Sequence, residues 1–300
     1  MSMKVGYIGL GLMGSSMAAN ILKAGFPLVV FNRTKAKMDT LVAQGAATAI
    51  SPADLAAKSD VVITNVSDSK DVYEVMFGKD GVSAGIRSGS ILIDNSTIKP
   101  STAREIAERM WNEKKVRCLD APVSGGDIGA RNGTLTIMVG GDAEALRKVM
   151  PVLQAMGKTI THIGDSGAGQ VCKAANQIMV AAQMVAMGEM LVFSEKCGVD
   201  AEKVIEAVKG GAAQCWTLDV KPPRLFSGNR EPGFKAALQS KDLGIVMDSA
   251  KEFGVPLPTT AVNAQLFQSM IQNGEGDKDN SAVLGVLERM ANCHIKETKQ

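Results

Sequence analysis

The stretch "GYIGLGLMGSSMAANILKAG", residues 6–25, decides the fold of the first half of this chain. Its glycines Gly9, Gly11 and Gly14 have G-x-G-x-x-G spacing between an apolar run and a helical pattern. In that setting the first glycine makes a tight turn, the second lets a pyrophosphate approach the backbone, and the third lets helix and strand pack closely. The start of the helix offers unpaired N–H groups to the phosphates. The stretch therefore predicts a dinucleotide-binding loop, in which Leu12 and Met13 are also predicted cofactor-binding residues.

Apolar runs alternate with helical patterns along the rest of the first half. The predicted strands are Val5–Leu10, Pro27–Asn32, Asp60–Val66, Ser90–Ser96, Val116–Val123 and Thr134–Gly141. The predicted helices include Met13–Lys23, Lys35–Gln44, Ser101–Lys114 and Ala143–Met156. This alternation indicates βαβ units and a mostly parallel sheet covered by helices on both faces. We expect an α/β fold with an N-terminal doubly wound sheet of the Rossmann type.

Beyond Gly164 the pattern becomes helical throughout. An Ala- and Met-rich run, Gln170–Cys197, predicts a helix of roughly 40 Å. Further predicted helices are Ala201–Lys209, Gln239–Phe253, Pro258–Asn273 and Ala282–Cys293. The expected domains are therefore a dinucleotide-binding domain over residues 1–164 and an all-α domain over residues 165–300, joined by the long helix.

The composition is that of an ordinary globular protein, with 45% apolar and 21% charged residues among 300. The formal net charge of +2 is spread without a basic tail, which argues against a nucleic-acid partner. Five scattered cysteines without a C-x-x-C pair predict reduced thiols in the cytoplasm, and two histidines without ligand spacing argue against a metal. No apolar run is expected to span a membrane, and the N-terminus lacks a signal-peptide pattern.

The residues after the second predicted strand bear on the choice of cofactor. An NAD site usually has an acidic residue there that holds the ribose 2′-hydroxyl. This chain has Asn32, Arg33 and Thr34 instead. Arg33 could pair with a 2′-phosphate and its neighbours could hydrogen-bond it, although an arginine at a helix start is often simply solvated. The sequence predicts NADP(H) as the preferred cofactor and leaves NAD(H) possible.

Two glycine-rich segments carry candidate chemistry. "DAPVSGG", residues 120–126, ends a strand in Ser124, Gly125 and Gly126, whose backbone amides could bind a carboxylate or could form a plain turn. "GDSGAGQVCKAANQ", residues 164–177, leads into the long helix and places Asn176 and Gln177 on the face of Lys173. If that face is buried, a lowered lysine pKa would suit proton transfer, whereas a lysine at a helix start is more often solvated.

A third segment, "SKDLGIVMDSA", residues 240–250, has Lys241 and Asp242 before an apolar helical run. Taken alone, the two charges are explained by helix capping and surface charge. Lys241 and Asp242 become candidate site residues only when this segment is considered together with the two glycine-rich segments that precede it.

Together these segments resemble the β-hydroxyacid dehydrogenase family, which includes 3-hydroxyisobutyrate dehydrogenase, tartronate semialdehyde reductase and glyoxylate/succinic semialdehyde reductase. The resemblance covers nearly the whole chain. It rests on "GLGLMGSSMAANILKAG", "DAPVSGG" with the following "GTLTIMVGG", "GAGQVCKAANQ" and "KDLGI", in the expected order and at the expected separations. The second half looks closest to tartronate semialdehyde reductase, and "NRT" looks like the NADPH-dependent glyoxylate/succinic semialdehyde reductases.

The resemblance implies roles that the bare sequence does not. Lys173 would be the general acid, and Ser124, Gly125 and Gly126 would hold the substrate carboxylate. Asn176, or Gln177 beside it, would orient the substrate. The remaining implied contacts are Thr97, Val66, Ser67 and Lys241 with the cofactor, and Phe234 and Asp242 with the substrate. Members of such families pair through their helical domains into homodimers or homotetramers.

Several functions compete for this sequence. The first is an NADPH-dependent reductase of tartronate semialdehyde, glyoxylate or succinic semialdehyde, and the second is a 3-hydroxyisobutyrate dehydrogenase. A 6-phosphogluconate dehydrogenase is disfavoured by the short chain and by the lack of a His-Asn pair after Lys173. Imine reductases usually lack this lysine. The lysine also argues against a non-catalytic NADP-binding module.

Overall fold

The computed structural model describes residues 3–296, which divide into two compact units, the first ending at Lys173 and the second beginning at Ala174. The first unit is α/β and the second is helical. The predicted fold class is confirmed.

The first unit is built on one sheet of nine strands. In chain order the strands are β1 Val5–Ile8, β2 Leu28–Phe31, β3 Ala47–Thr48, β4 Val61–Thr64, β5 Ile91–Asp94, β6 Arg117–Asp120, β7 Val123–Ser124, β8 Leu135–Gly141 and β9 Gly157–Gly164. Their spatial order is β3-β2-β1-β4-β5-β6-β8-β7, with β9 also paired to β8. The pairs from β3 to β6 are parallel, and β8 runs antiparallel to β6 and β7. The chain order reverses between β1 and β4, which is where α/β sheets of this type bind dinucleotides.

Helices cover both faces of this sheet. They are α1 Gly14–Lys23, α2 Asp39–Ala43, α3 Pro52–Ala57, α4 Ser69–Phe77, α5 Val82–Gly85, α6 Pro100–Lys114, α7 Gly126–Asn132, α8 Ala143–Gln154 and the first part of α9 Ala168–Lys196, with a 3₁₀ turn at Lys35–Met38. Successive residues of a strand face opposite sides. In β4, Ile63 therefore packs into the core formed with α1 and α8, and Val62 into the core formed with α3, α4 and α6.

The second unit has its own apolar core. Its elements are the rest of α9, α10 Ala201–Val208, α11 Trp216–Val220, α12 Pro222–Phe226, α13 Ala236–Phe253, α14 Pro258–Gln272, a 3₁₀ turn at Asn280–Val283 and α15 Leu284–Ala291. Side chains from α9, α13 and α14, including Met184, Leu243 and Phe267, are fully buried in this core. Within residues 174–296 the one β-type pairing is an isolated bridge between Lys235 and Asp279.

The structure departs from the sequence expectation at three strands. The predicted strand Val116–Val123 is two strands, because Pro122 lacks the N–H that would continue the ladder. The strands β3 and β9 were not predicted from the sequence. Most residues of β9 are exposed or half-exposed, so the apolar run that marks a buried strand is missing there.

The long helix also corrects the expectation about membrane-spanning segments. By length and composition Ala168–Lys196 would be long and apolar enough to cross a membrane. Half of its most apolar window is buried inside the protein, as in the core helices of soluble proteins, which meet the same criteria.

Candidate active site

The three glycines of the loop after β1 differ in what a side chain would meet. A Cβ on Gly9 would lie 2.2 Å from the carbonyl oxygen of Asn65, and Gly9 has φ +99°. A Cβ on Gly14 would lie 2.1 Å from the carbonyl oxygen of Gly9. Around Gly11, in contrast, no atom of the described residues other than Gly11 itself and its chain neighbours Leu10 and Leu12 comes within 4 Å of that position. Packing within the protein therefore requires the first and third glycines, and the second leaves open space beside the start of α1.

Asn32, at the end of β2, holds this loop in place. Its side-chain oxygen accepts a hydrogen bond from the Leu10 N–H at 2.9 Å, and its Nδ2 donates to the Thr34 carbonyl at 2.9 Å. Arg33 and Thr34 themselves are exposed. The structure thus gives Asn32 a role in shaping the loop and leaves the Arg33 guanidinium at the surface.

The carboxyl ends of β4 and β5 are joined by buried polar groups. The Val66 N–H donates to Ser96 Oγ at 2.9 Å, and the Ser96 N–H donates to Asp94 Oδ1 at 3.1 Å. Thr64 Oγ1 also donates to Asp94 Oδ1, at 2.8 Å. Burial raises the pKa of Asp94 to about 6, against the lowering effect of these hydrogen bonds. The network fixes the segments that carry the predicted residues Val66, Ser67 and Thr97.

The predicted carboxylate site follows β7. Ser124 is half-buried, and Gly125 and Gly126 have φ +133° and +62°, values that suit glycine. Gly125 precedes α7, which no side chain in the described part of the chain caps. Asp127, in the first turn of α7, pairs with Arg131 at 2.9 Å, which offsets its negative charge. Uncapped N–H groups at a helix start are suited to an anion.

Lys173 is buried, with 6% of its surface exposed. Its Nζ donates a hydrogen bond to the Val123 carbonyl oxygen at 2.9 Å. Because Val123 directly precedes Ser124, the structure brings the lysine to the segment predicted to bind a carboxylate. The structure therefore shows a buried lysine at this position and not a solvated one.

Two buried polar residues that tie the start of α9 to neighbouring segments were missed by the sequence reasoning. Asp120, at the end of β6, accepts hydrogen bonds from the N–H groups of Gly167 at 2.7 Å and Gln170 at 2.9 Å, and so caps the start of α9. Burial raises the pKa of Asp120, against these hydrogen bonds. Gln170 joins the same turn of helix to the loop around Thr97. Asp120 stands in "DAPVSGG" and Gln170 in "GAGQVCKAANQ", but neither string shows that they meet.

Within the second unit, four predicted residues form a connected chain of polar contacts. Asn176 Nδ2 donates to Gln177 Oε1 at 2.8 Å, and Gln177 Nε2 donates to Asp242 Oδ2 at 2.7 Å. Lys241 Nζ lies 2.9 Å from Asp242 Oδ1. Gln177 and Asp242 are buried, whereas Asn176 and Lys241 are half-exposed. The charge of Asp242 is thus shared by an amide and an ammonium rather than exposed at the surface.

The half-buried Phe234 is held by a buried ion pair that the sequence did not predict. Lys221 Nζ lies 2.7 Å from Asp279 Oδ1, and Asp279 Oδ2 accepts the N–H groups of Gly233 and Phe234 at 2.9 and 3.2 Å. Burial would raise the pKa of Asp279, but Lys221 and Ser281 hold it below its ordinary value. Two charges that lie 58 residues apart in sequence give no local signal.

The first unit therefore holds together the glycine loop, the Val66 and Thr97 segments, Ser124–Gly126 and Lys173, and the second unit holds together Asn176, Gln177, Lys241 and Asp242. The first set fits a dinucleotide. The open space at Gly11 is the kind of backbone approach that a pyrophosphate needs, and no carboxylate follows β2 to repel a 2′-phosphate. Among the described residues, no group of three or more His, Cys, Asp or Glu is placed to hold a metal ion.

Two family profiles match the chain. Residues 4–164 match the NAD-binding domain of 6-phosphogluconate dehydrogenase, and residues 167–287 match the NAD-binding region of NADP-dependent 3-hydroxyisobutyrate dehydrogenase. The 2-hydroxy-3-oxopropionate reductase of Escherichia coli is 42% identical over 290 residues, which are 97% of this chain and 99% of that protein.

Solved structures similar to this chain include a dehydrogenase of the same kind and a protein bound to NADP+. The 3-hydroxyisobutyrate dehydrogenase of Mycobacterium tuberculosis, solved with L-serine, superposes with a TM-score of 0.88 at 34% identity, covering 96% of this chain and 99% of that one. Psf3, solved with NADP+ and the ligand 2-OPP, superposes with a TM-score of 0.86 at 25% identity, covering 94% of this chain and 99% of its own.

Proposed function

The chain belongs to the β-hydroxyacid dehydrogenase family of NAD(P)-dependent oxidoreductases, and we propose that it reduces short aldehyde acids with NADPH. The observation that carries the proposal is the burial of Lys173 with its ammonium at the Val123 carbonyl, directly before Ser124–Gly126. A proton donor and a site for an anion are thereby adjacent. An aldehyde acid presents the matching pair of groups, a carbonyl and a carboxylate.

The chemistry divides between cofactor and protein. A bound nicotinamide cofactor supplies the hydride. Lys173 gives its Nζ proton to the carbonyl oxygen of the substrate as negative charge develops there, and takes the proton back in the reverse direction. Ser124 and the amides of Gly125 and Gly126 hold the carboxylate. The Val123 carbonyl fixes the ammonium until the substrate binds.

We assign the cofactor to the carboxyl ends of β1, β2, β4 and β5. The pyrophosphate is assigned to the glycine loop, which includes Gly9, Gly11, Leu12, Met13 and Gly14. A 2′-phosphate is assigned to Arg33 and Thr34. Asn32 contributes by holding the Leu10 N–H. Val66, Ser67 and Thr97 line the nicotinamide half. The preference for NADPH rests on the exposed Arg33 and on the lack of a carboxylate at Asn32–Thr34.

In the second unit we assign Asn176 to substrate orientation. Gln177 is buried, and its amide oxygen and nitrogen are hydrogen-bonded to Asn176 and Asp242. We therefore assign to Gln177 the positioning of Asn176 and not the orientation of the substrate itself. Lys241 contributes to cofactor binding, and Phe234 with Asp242 contributes to substrate binding. The hydrogen bonds of Phe234 to Asp279 support an ordered aromatic group there.

The substrate itself is the finer part of the proposal. Tartronate semialdehyde is supported by the 42% identity to a 2-hydroxy-3-oxopropionate reductase, and glyoxylate and succinic semialdehyde remain candidates of the same class. A 3-hydroxyisobutyrate dehydrogenase is the second candidate, favoured by the TM-score of 0.88. In that enzyme the same groups would act in the direction of oxidation.

We further propose that the protein works in the cytoplasm as a homodimer or homotetramer. The five cysteines are free thiols, as expected in a reducing compartment. Met179 and Phe193 on α9 are among the exposed large apolar side chains, which suits a subunit interface. Light scattering coupled to size-exclusion chromatography measures the oligomeric state directly.

A substrate panel tests the proposed function. Purified protein is assayed with NADPH and with NADH against tartronate semialdehyde, glyoxylate, succinic semialdehyde and methylmalonate semialdehyde, and in reverse with 3-hydroxyisobutyrate. We expect turnover of a short aldehyde acid with NADPH. Binding of NADPH without turnover of any of these would favour the non-catalytic module.

The variant Lys173→Met tests the proton donor. The methionine keeps much of the buried stem but has no proton to give, so we expect kcat to fall about 10²- to 10⁴-fold while NADPH binding is retained. The control is Lys196→Met, at the exposed end of the same helix. A Lys173→Met enzyme with the kcat of wild type would refute the role of Lys173.

A further inference from the structure

The side chain of Gln170 bridges the backbone on both sides of Thr97. Its Oε1 accepts a hydrogen bond from the Ile98 N–H at 3.1 Å, and its Nε2 donates to the Ser96 carbonyl oxygen at 2.8 Å. Gln170 is 1% exposed. One buried amide therefore closes a ring around the loop that we assign to the nicotinamide half of the cofactor.

The same residue is tied to the segment that holds the general acid. Its backbone N–H donates to Asp120 Oδ2 at 2.9 Å. Lys173 lies three residues later, about one helical turn, and its Nζ donates to the carbonyl of Val123, three residues after Asp120. Gln170 is thus the point where the Thr97 loop, the first turn of α9 and the β6–β7 segment are joined.

We propose that Gln170 is a positioning residue that fixes the nicotinamide-binding loop relative to Lys173. This inference rests on the proposed function, since it takes Thr97 as a contact of the cofactor and Lys173 as the acid. In this role Gln170 acts through the Thr97 loop and the first turn of α9, to which its hydrogen bonds run. Its effect comes from geometry, because the reacting atoms must be held within a fraction of an ångström for efficient transfer.

The alternative is that Gln170 only stabilises the fold. Removing its amide leaves the Ser96 carbonyl and the Ile98 N–H unpaired in a buried place, which costs stability in either case. The two explanations differ in which ligand is affected. A displaced Thr97 loop weakens binding of the nicotinamide half and slows catalysis, whereas it leaves the adenosine half on the glycine loop and Arg33 untouched.

The test compares Gln170→Met with Gln183→Met. Methionine is close in length to glutamine and removes both hydrogen bonds. Gln183 lies on the same helix and accepts a hydrogen bond from Thr217 at 2.9 Å, so its replacement also costs a side-chain hydrogen bond, but in the second unit. Each protein is titrated with the cofactor that the wild type uses and with its nicotinamide-free fragment, 2′,5′-ADP for NADPH or ADP for NADH, and is then assayed for kcat and KM.

We expect Gln170→Met to weaken cofactor binding about tenfold and to lower kcat about tenfold, from the loss of two hydrogen bonds. The fragment should bind as to wild type, and Gln183→Met should match wild type in all these measurements. Wild-type affinity and kcat in Gln170→Met would overturn the proposal, as would equal weakening of cofactor and fragment. A wild-type protein that binds neither cofactor would instead reject the proposed function.

The variant Gln170→Glu keeps the test decisive if the methionine variant fails to fold. A protonated glutamic acid can accept from Ile98 and donate to Ser96, but an ionised one cannot donate. Asp120 and Asp94, which are hydrogen-bonded to Gln170 and Ser96, favour the protonated form. We expect the kcat of this variant relative to wild type to recover as the pH is lowered. A ratio that does not change with pH would contradict the positioning role.

Discussion

Single residues in the glycine loop carry separable roles. Gly9 and Gly14 have no room for a side chain. A Cβ on Gly9 or on Gly14 would lie only 2.2 or 2.1 Å from a backbone carbonyl oxygen, which is far inside the van der Waals distance. Gly11 has that room. The spacing of the motif therefore combines two glycines that packing requires with a third, Gly11, whose open side we assign to the pyrophosphate.

The contrast predicts different results for two alanine variants. Gly11→Ala should fold with the stability of wild type but bind NADPH much more weakly, because its methyl group enters the space assigned to the pyrophosphate. Gly9→Ala should lose several kcal/mol of stability, since both φ and the Asn65 carbonyl oppose a Cβ. Thermal unfolding and NADPH titration of both variants check this. Equal NADPH affinity in Gly11→Ala and wild type would remove the assigned phosphate site.

The proposed role of Arg33 in cofactor preference is tested at the same scale. Arg33→Asp removes the proposed partner of the 2′-phosphate and adds a repelling carboxylate that can hold a ribose hydroxyl. We expect the ratio of kcat/KM for NADPH to that for NADH to fall about 100-fold or more. Lys148→Asp makes the same charge change on the exposed face of α8 and should leave the ratio unchanged. A ratio equally unchanged in Arg33→Asp would mean that Arg33 does not read the phosphate.

At the scale of elements, α9 depends on an acceptor from another part of the chain. Asp120 accepts the N–H groups of Gly167 and Gln170 at the start of this helix, 47 and 50 residues away in sequence. α8, by comparison, is capped by the residue directly before it, since Asp142 accepts the Ala145 N–H at 2.7 Å. The remote cap couples the position of Lys173 to the end of β6.

The two caps give a matched pair of variants. Asp142→Ala should cost about 1 kcal/mol and leave kcat unchanged, as expected for a helix cap at the surface. Asp120→Ala leaves two buried N–H groups without their acceptor and should cost roughly 2–4 kcal/mol. It should also lower kcat, because the first turn of α9 carries Lys173. Urea unfolding and steady-state kinetics check both, and a normal kcat in a folded Asp120→Ala enzyme would contradict the coupling.

At the scale of the whole molecule, the pKa values of two buried carboxyl groups are shifted in opposite directions. The pKa of Asp94 is raised to about 6 by burial, and that of Asp279 is held below its ordinary value by Lys221. Between pH 4 and 6 the folded protein keeps a proton on Asp94 that the unfolded chain has lost. Asp94 therefore makes the folded state less stable as the pH rises through this window, whereas Asp279 contributes stability that is lost only as the pH falls below the range of an ordinary aspartate.

The variant Asp94→Asn should remove the first of these effects. We expect its free energy of unfolding, relative to wild type, to rise by up to roughly 3 kcal/mol between pH 4 and pH 7. Asp279→Asn should do the reverse, with its largest deficit at neutral pH, because it leaves the buried Lys221 without a partner.

The two tryptophans allow each unit to be followed separately. Trp111 lies in the first unit and Trp216 in the second. Asp94→Asn is measured from Trp111 fluorescence in a Trp216→Phe background, and Asp279→Asn from Trp216 in a Trp111→Phe background. A difference between Asp94→Asn and its background that stays constant from pH 4 to 7 would show that Asp94 does not titrate in this range.

The sequence by itself determined the features that depend on neighbouring residues. Alternating apolar runs predicted the α/β half, because strand and helix periods are local, and the spacing of Gly9, Gly11 and Gly14 predicted the loop. Helical spacing placed Asn176 and Gln177 with Lys173. β9 was missed because its residues are mostly exposed, so no apolar run marks it.

Only the tertiary structure decided what meets across the chain. Four contacts join residues that lie 47 to 74 positions apart in sequence. They are the hydrogen bond of Lys173 to Val123, the helix cap by Asp120, the bridge from Gln170 to Ser96 and Ile98, and the ion pair of Lys221 with Asp279. Such pairs leave no periodic trace, because a hydrogen bond constrains two atoms in space and not the residues between them. Whether a polar residue is solvated or buried with a partner is therefore set by packing, and the proposed chemistry depends on that difference.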